Sequence, residues 1–152
     1  MENFRIENQK EFMARLLTGN DFDTFLLKEA QIKTANAYTI DGYEQKAFYG
    51  SDKDMVDLAS PYEYAPWERM KSVVLSLIKG KLTPLSMKIV LYLKPELTEE
   101  LLGDSGYPVD YLIINFSQGE SGMSITTAVA YKEFTLDKEP EQIWDRYIRG
   151  IL

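Results

Sequence analysis

The sequence predicts an α+β domain: an antiparallel sheet of about five strands, built from hairpins, packed against three main helices. Three observations carry that expectation. Apolar residues recur at period two in "IKTANAYTI", "SMKIVLYL" and "VDYLIINF". They recur at helical spacing in "EFMARLL", "WERMKSVVLSLI" and "IWDRYIRGIL". The strand-like runs follow one another directly, and the helices fall in groups, which argues against alternating βαβ units. A chain of 152 residues suits one domain over 1–152.

Taken in order, "NFRIEN" alternates Phe4 and Ile6 and reads as a short edge strand. Asn8 with Glu11 three residues on forms a capping box, Phe12, Met13, Leu16 and Leu17 make the buried stripe, and Gly19 closes the helix. Ala30 to Ile40 alternates as a strand. Asp41-Gly42 supplies a two-residue hairpin turn, and Tyr43 to Tyr49 is the expected return strand. Ser51 with Asp54 opens a short helix carrying Met55, Leu58 and Ala59. After the loop "SPYEYAPW", Pro66 starts a helix with the stripe Trp67, Met70, Val74, Leu77 and Ile78, ended by Gly80.

In "LSMKIVLYLK", Met87, Ile89, Leu91 and Leu93 share one strand face. Lys88, Val90, Tyr92 and Lys94 share the other, which their apolar members mark as partly covered. "PELTEELLGDSGYP" reads as a helical turn and loop, followed by strands at Val109 to Phe116 and Met123 to Leu136. Pro140 then opens a last helix that buries Ile143, Trp144, Tyr147, Ile148, Ile151 and Leu152.

The chain has no histidine and no cysteine. That excludes Ser-His-Asp and Cys-His nucleophiles, Cys/His zinc sites, thiol redox chemistry and histidine-ligated haem. Carboxylates, Lys, Tyr, Ser or an oxygen-bound metal would have to do any chemistry, so the balance falls against an enzyme. No cofactor and no metal site is expected. No apolar run approaches the roughly 20 residues of a membrane helix, and "MENFRIENQKEF" lacks the apolar core of a signal peptide, so the expectation is a cytoplasmic protein with no membrane partner.

The net charge is −7, which disfavours nucleic acid. The charge is unevenly spread. Arg69, Lys71, Lys79, Lys81, Lys88 and Lys94 lie in one segment without an acid. Taking those six from the 17 Lys and Arg leaves 11 basic residues against 24 acidic ones elsewhere.

The blocks "KEFMARLL", "FDTFLLKEAQIKTANAYTIDG" and "LIKGKLTPLSMKIV", in that order, resemble an uncharacterised family of bacterial proteins catalogued as a domain of unknown function. The resemblance implies a soluble bacterial protein, mostly of anaerobic gut Firmicutes, and transfers no active site.

Four stretches are candidates for chemistry. "GESGM" departs from the nucleophile elbow at Met123, and no histidine can activate Ser121, so a hairpin turn is expected there. "KGKLTP" lacks the first glycine of a phosphate loop. Lys79 and Lys81 complement a helix C-terminus instead, although with Lys88 they remain a candidate anion site. Asp52, Asp54, Asp57 and Glu63 fail the EF-hand pattern at Val56 and Asp57 and read as an acidic first helical turn. Tyr62 and Tyr64, in a loop, are candidates to line a pocket or a partner surface, with packing of the loop as the alternative.

The leading expectation is a non-enzymatic module that binds a protein partner or another copy of itself, its basic face meeting an acidic one. A binder of a small phosphate-bearing anion comes second, and a carboxylate- or metal-dependent hydrolase third.

Overall fold

The computed structural model describes residues 1–103 and 106–152 and places every strand in one antiparallel sheet. The strands are β1 (Asn3–Arg5), β2 (Phe25–Lys33), β3 (Ala37–Asp41), β4 (Ala65–Pro66), β5 (Ser86–Leu93), β6 (Val109–Gly119) and β7 (Gly122–Tyr131). The helices are α1 (Gln9–Leu17), α2 (Lys53–Val56), α3 (Trp67–Ile78), α4 (Pro95–Leu102) and α5 (Glu139–Ile151). The strand order is β1-β7-β6-β5-β2-β3, with β4 pairing β2 beyond the end of β3.

The α+β class and the antiparallel sheet match the sequence expectation; the counts do not. Among the described residues, seven strands and five α-helices stand where about five strands and three main helices were expected. β1 and α2 lie where the sequence places a short edge strand and a short helix; the difference comes from the division of Ala30 to Ile40 between β2 and β3, from β4, and from α4. "PELTEELL" makes a full eight-residue helix from Pro95 rather than a single turn. Of the loop expected after it, Asp104 and Ser105 lie outside the described residues.

The helices form where the capping chemistry puts them. The Asn8 side chain accepts from the Glu11 amide at 3.1 Å, which satisfies one backbone donor left free by the helix end, and donates to the Glu11 carboxylate at 2.9 Å. Asp52, not Ser51, caps α2 by accepting from Asp54 at 3.0 Å. Met55, Val56 and Leu58 are nevertheless exposed, because a helix of four residues has no face long enough to reach the core.

The core is one cluster on one face of the sheet. Phe12 and Leu16 of α1, Trp67 and Val74 of α3, and Trp144 and Ile148 of α5 meet Ile89, Leu91, Leu112, Ile114, Phe116 and Ile125 there. Leu97, Leu101 and Leu102 of α4 pack against the same cluster. Both tryptophans are buried and hydrogen-bonded: Trp67 Nε1 donates to the Leu16 carbonyl at 2.9 Å, and Trp144 Nε1 to the Ile113 carbonyl at 2.8 Å.

β6 and β7 pair as far as Gly119↔Gly122, so Glu120-Ser121 is a two-residue hairpin turn with Gly122 at φ +109°, as expected of "GESG". The Asp41-Gly42 hairpin is not formed. β2 and β3 turn instead through Thr34–Asn36, where the Thr34 amide donates to the Asn36 carbonyl at 2.9 Å, and Tyr43 to Tyr49 ends in a 3-10 turn rather than a strand. Thr34 and Asn36 fit the period-two pattern and are also turn formers, and the buried run Phe25-Leu26-Leu27 draws the strand towards the core. β7 also stops at Tyr131, short of the expected Leu136, which leaves Phe134 and Leu136 exposed.

Candidate functional site

With α1, α3, α4 and α5 all on one face, the opposite face of the sheet carries the unassigned side chains. Registers define it row by row. One row runs Gln31–Lys88–Ser117–Ser124–Arg5 across β2, β5, β6, β7 and β1. The next runs Glu29–Val90–Asn115–Thr126–Asn3, and the third runs Leu26–Tyr92–Ile113–Ala128. Tyr111 lies beyond them, opposite Ala130. Leu26 and Val90 are buried yet stand outside the main core cluster, because they belong to this second face.

The face is chemically polarised. At one end Lys88 and Arg5 flank two serines, with Lys33 opposite Ser86 one row further out and no acid among these residues. Arg5 donates to the Ser121 carbonyl at 3.1 Å. Neither Arg5 nor Lys88 has an ion-pair partner among the described residues.

At the other end four tyrosines meet. Tyr92 and Tyr111 stack with ring centres 4.4 Å apart, and Tyr64 stands edge-on to Tyr92 at 5.2 Å, Tyr111 at 6.0 Å and Tyr43 at 6.2 Å. Tyr64 is brought there by β4, whose pairing with β2 carries the chain past Leu26. A bulge between Leu27 and Glu29 turns Lys28 onto the same face, its ammonium 5.4 Å from the Tyr64 ring centre. Tyr111 donates to Glu63 at 3.2 Å. Burial first, then the charges of Glu63, Asp41, Asp110 and Glu29, push the Tyr64, Tyr92 and Tyr111 phenols up. The rings therefore stay neutral, and the negative potential around them favours a cation.

Of the residues the sequence singled out, Tyr64 is central to this cluster. Tyr62 lies beside it, hydrogen-bonded to Glu96 with the Lys94 ammonium 5.8 Å from its ring centre. The three lysines are not brought together. Lys79 follows the last residue of α3 on the helix side, Lys81 lies in the connection to β5, and Lys88 projects from the opposite face. The basic segment is otherwise neutralised by acids from elsewhere: Arg69 pairs with buried Glu44 at 2.6 Å, Lys71 with Asp23 at 2.8 Å and Lys94 with Glu68 at 4.0 Å. Burial alone would raise the Glu44 carboxyl, but the hydrogen bonds from Arg69 and Tyr49, with the Arg69 charge, outweigh it and hold the group below the usual range. Arg5, Lys28, Tyr92 and Tyr111 escaped the sequence reading; the only signal for any of them was the period-two sharing of one face by Lys88, Val90 and Tyr92.

The tyrosines make the alkaline limb of stability predictable. Tyr62, chiefly through its hydrogen bond to Glu96, and Tyr131, chiefly through burial, are both pushed up to about 12. Tyr64, Tyr92 and Tyr111 are raised as well. A raised folded-state value means the native chain holds protons that the unfolded chain has released, so this stability is complete below pH about 10 and is lost as pH climbs towards about 12. Tyr107 is raised too, chiefly by its hydrogen bond to Glu139, so tyrosinate absorption should show these six of the ten tyrosines ionising well above pH 10 in the native chain. Ten tyrosines titrating together near pH 10 would contradict that.

Fold and surface define the class: a one-layer antiparallel sheet, backed by helices on one side and chemically differentiated on the other. Within that class the chain belongs to the family of unknown function DUF5721, whose model matches residues 15–152. No curated protein and no solved structure matches it. Among the described residues, no helix is long and apolar enough to cross a membrane, and no group of three acidic residues is placed to hold a metal ion.

Proposed function

We propose that this protein is a non-enzymatic, cytoplasmic recognition module that docks a protein partner on the helix-free face of its sheet, with basic side chains of the partner received at the tyrosine end. One observation carries the reading: Tyr64, Tyr92 and Tyr111 are grouped on an open sheet face among Glu29, Glu63 and Asp110. Ring faces and carboxylates attract the same kind of group, an ammonium or guanidinium. Lys28, already over Tyr64, shows the chemistry within the chain. The absence of histidine and cysteine from the sequence supports a binding role over a catalytic one.

The test is a titration followed by NMR at physiological salt, with hexa-arginine and hexaglutamate as probes. Saturable shifts centred on Tyr64, Tyr92 and Tyr111 with the basic peptide alone are expected, and Tyr92→Leu/Tyr111→Leu, which keeps every charge, should abolish them. Shifts spread over all acidic surfaces, or unchanged in the double variant, would refute the reading.

A further inference from the structure

We infer that the partner is a second copy of this chain, docked by the same face about a two-fold axis that lies across the strands over the Val90–Asn115 row. The inference rests on the recognition surface proposed above and names its occupant.

Symmetry and register decide the geometry. An antiparallel sheet with one face on the core leaves the other for solvent or for a second sheet. In a two-fold contact the same patch serves both copies, so the patch must be complementary to itself. An axis along the strands would set cations over cations. An axis across the strands keeps each strand over its counterpart with its ends reversed, so Lys88 of one copy lies over Tyr92 of the other, while Arg5 faces the β1–β7 edge.

Val90 is the midpoint that makes this work. Lys88 lies two residues before it and Tyr92 two residues after it, on the same face of β5. On β6, Ser117 and Ile113 stand symmetrically about Asn115, and the pairs Lys88↔Ser117 and Tyr92↔Ile113 keep the rows level. At about 3.4 Å per residue, Lys88 and Tyr92 are each about 7 Å from the axis. Each Lys88 ammonium therefore meets the stacked rings of Tyr92 and Tyr111 in the other copy, within reach of Glu63 and Asp110. Val90 and Asn115 meet their own counterparts in the middle, and Glu29, on the same row, meets its own at the β2 side, a like-charge contact that the matched ends must outweigh.

The charges argue for this occupant over another. Lys88 and Arg5 share a row with no acid in it, Lys33 standing one row further out, and the tyrosine end has two acids that no described ion pair neutralises, Glu63 and Asp110, against one cation, Lys28. On β5, Lys88 and Tyr92 thus bring the two halves of the complement to equal distances from one row. A nucleic acid would satisfy the cations and be repelled by the acids.

Sedimentation velocity on the full chain at physiological salt tests it, with thermal melts confirming that each variant is folded. The wild type should be a dimer at micromolar concentration. Arg5→Glu/Lys88→Glu and Glu63→Lys/Asp110→Lys should each weaken self-association by at least about tenfold. Mixed in equal amounts, the two variants should form a heterodimer, because both ends then match again, and only folded partners can do so. A monomeric wild type, dimers that persist in either variant, or a mixture that stays monomeric would overturn the inference. If the wild type is monomeric while hexa-arginine still shifts Tyr92 and Tyr111, self-docking fails and the recognition surface stands. If neither occurs, both fail.

Discussion

Trp144→Ala is expected to destabilise the protein by about 4 kcal/mol, the scale set by truncating a fully buried tryptophan. Trp144 has no exposed surface. It stacks on Tyr147 with ring centres 5.6 Å apart, lies 6.1 Å from Phe25, and donates to the Ile113 carbonyl in the middle of β6. Three losses therefore coincide: apolar burial, a cavity between α5 and the sheet, and a hydrogen bond that ties helix to strand. Set against a total stability of about 5–15 kcal/mol, this is a large fraction. The measurement is the guanidinium midpoint at unchanged slope. Trp144→Phe, which keeps most of the volume and loses the donor, should cost about 1–2 kcal/mol. A Trp144→Ala loss below about 1 kcal/mol would show that α5 is not packed as described.

Gly42→Ala should cost about 3 kcal/mol or more, although the added group is a single methyl. A Cβ at Gly42 would lie 1.8 Å from the Leu27 carbonyl oxygen and 2.7 Å from its carbon, and both are backbone atoms held in β2. Gly42 cannot retreat, because its amide donates to the Lys28 carbonyl at 2.9 Å and its carbonyl accepts from Ala65 at 2.8 Å. Relief requires breaking the β2–β4 pairing that positions Tyr64, so the variant should also loosen the tyrosine cluster, visible as a changed near-UV tyrosine signal. Gly119→Ala, where an added Cβ meets nothing within 4 Å, is the control and should cost about 0.5 kcal/mol or less.

Gly42 also shows where sequence reading stops. Asp41-Gly42 has the composition of a hairpin turn, and local chemistry supports that reading. The glycine is instead required by a close approach of two backbone segments far apart in sequence, which no local pattern reveals. Where the signal is local, the sequence was legible. Asn8 with Glu11 marks the start of α1, the stripe behind Pro140 marks α5, and the two glycines of "GESG" mark the β6–β7 turn.

The helix-free face was legible only in part. Alternation places Lys88, Val90 and Tyr92 on one side of β5, but their neighbours across the sheet follow from register. In the sequence Lys88 belongs with Lys79 and Lys81. In the fold it stands in a row with Ser117, Ser124 and Arg5, residues up to 83 positions away in the chain. The tyrosine cluster is non-local in the same way, since Tyr43, Tyr64, Tyr92 and Tyr111 come from four separate segments.

Docking of a second chain on the helix-free face brings Asn115 of the two copies together. Because the chain has no cysteine, a single introduced thiol reports on one face at a time. Asn115→Cys places it on the proposed axis, and Ser72→Cys places it on the exposed side of α3. Treated with a short bismaleimide at micromolar protein and physiological salt, Asn115→Cys should yield a covalent dimer and Ser72→Cys should not. No dimer from Asn115→Cys, or equal yields from the two variants, would contradict the account.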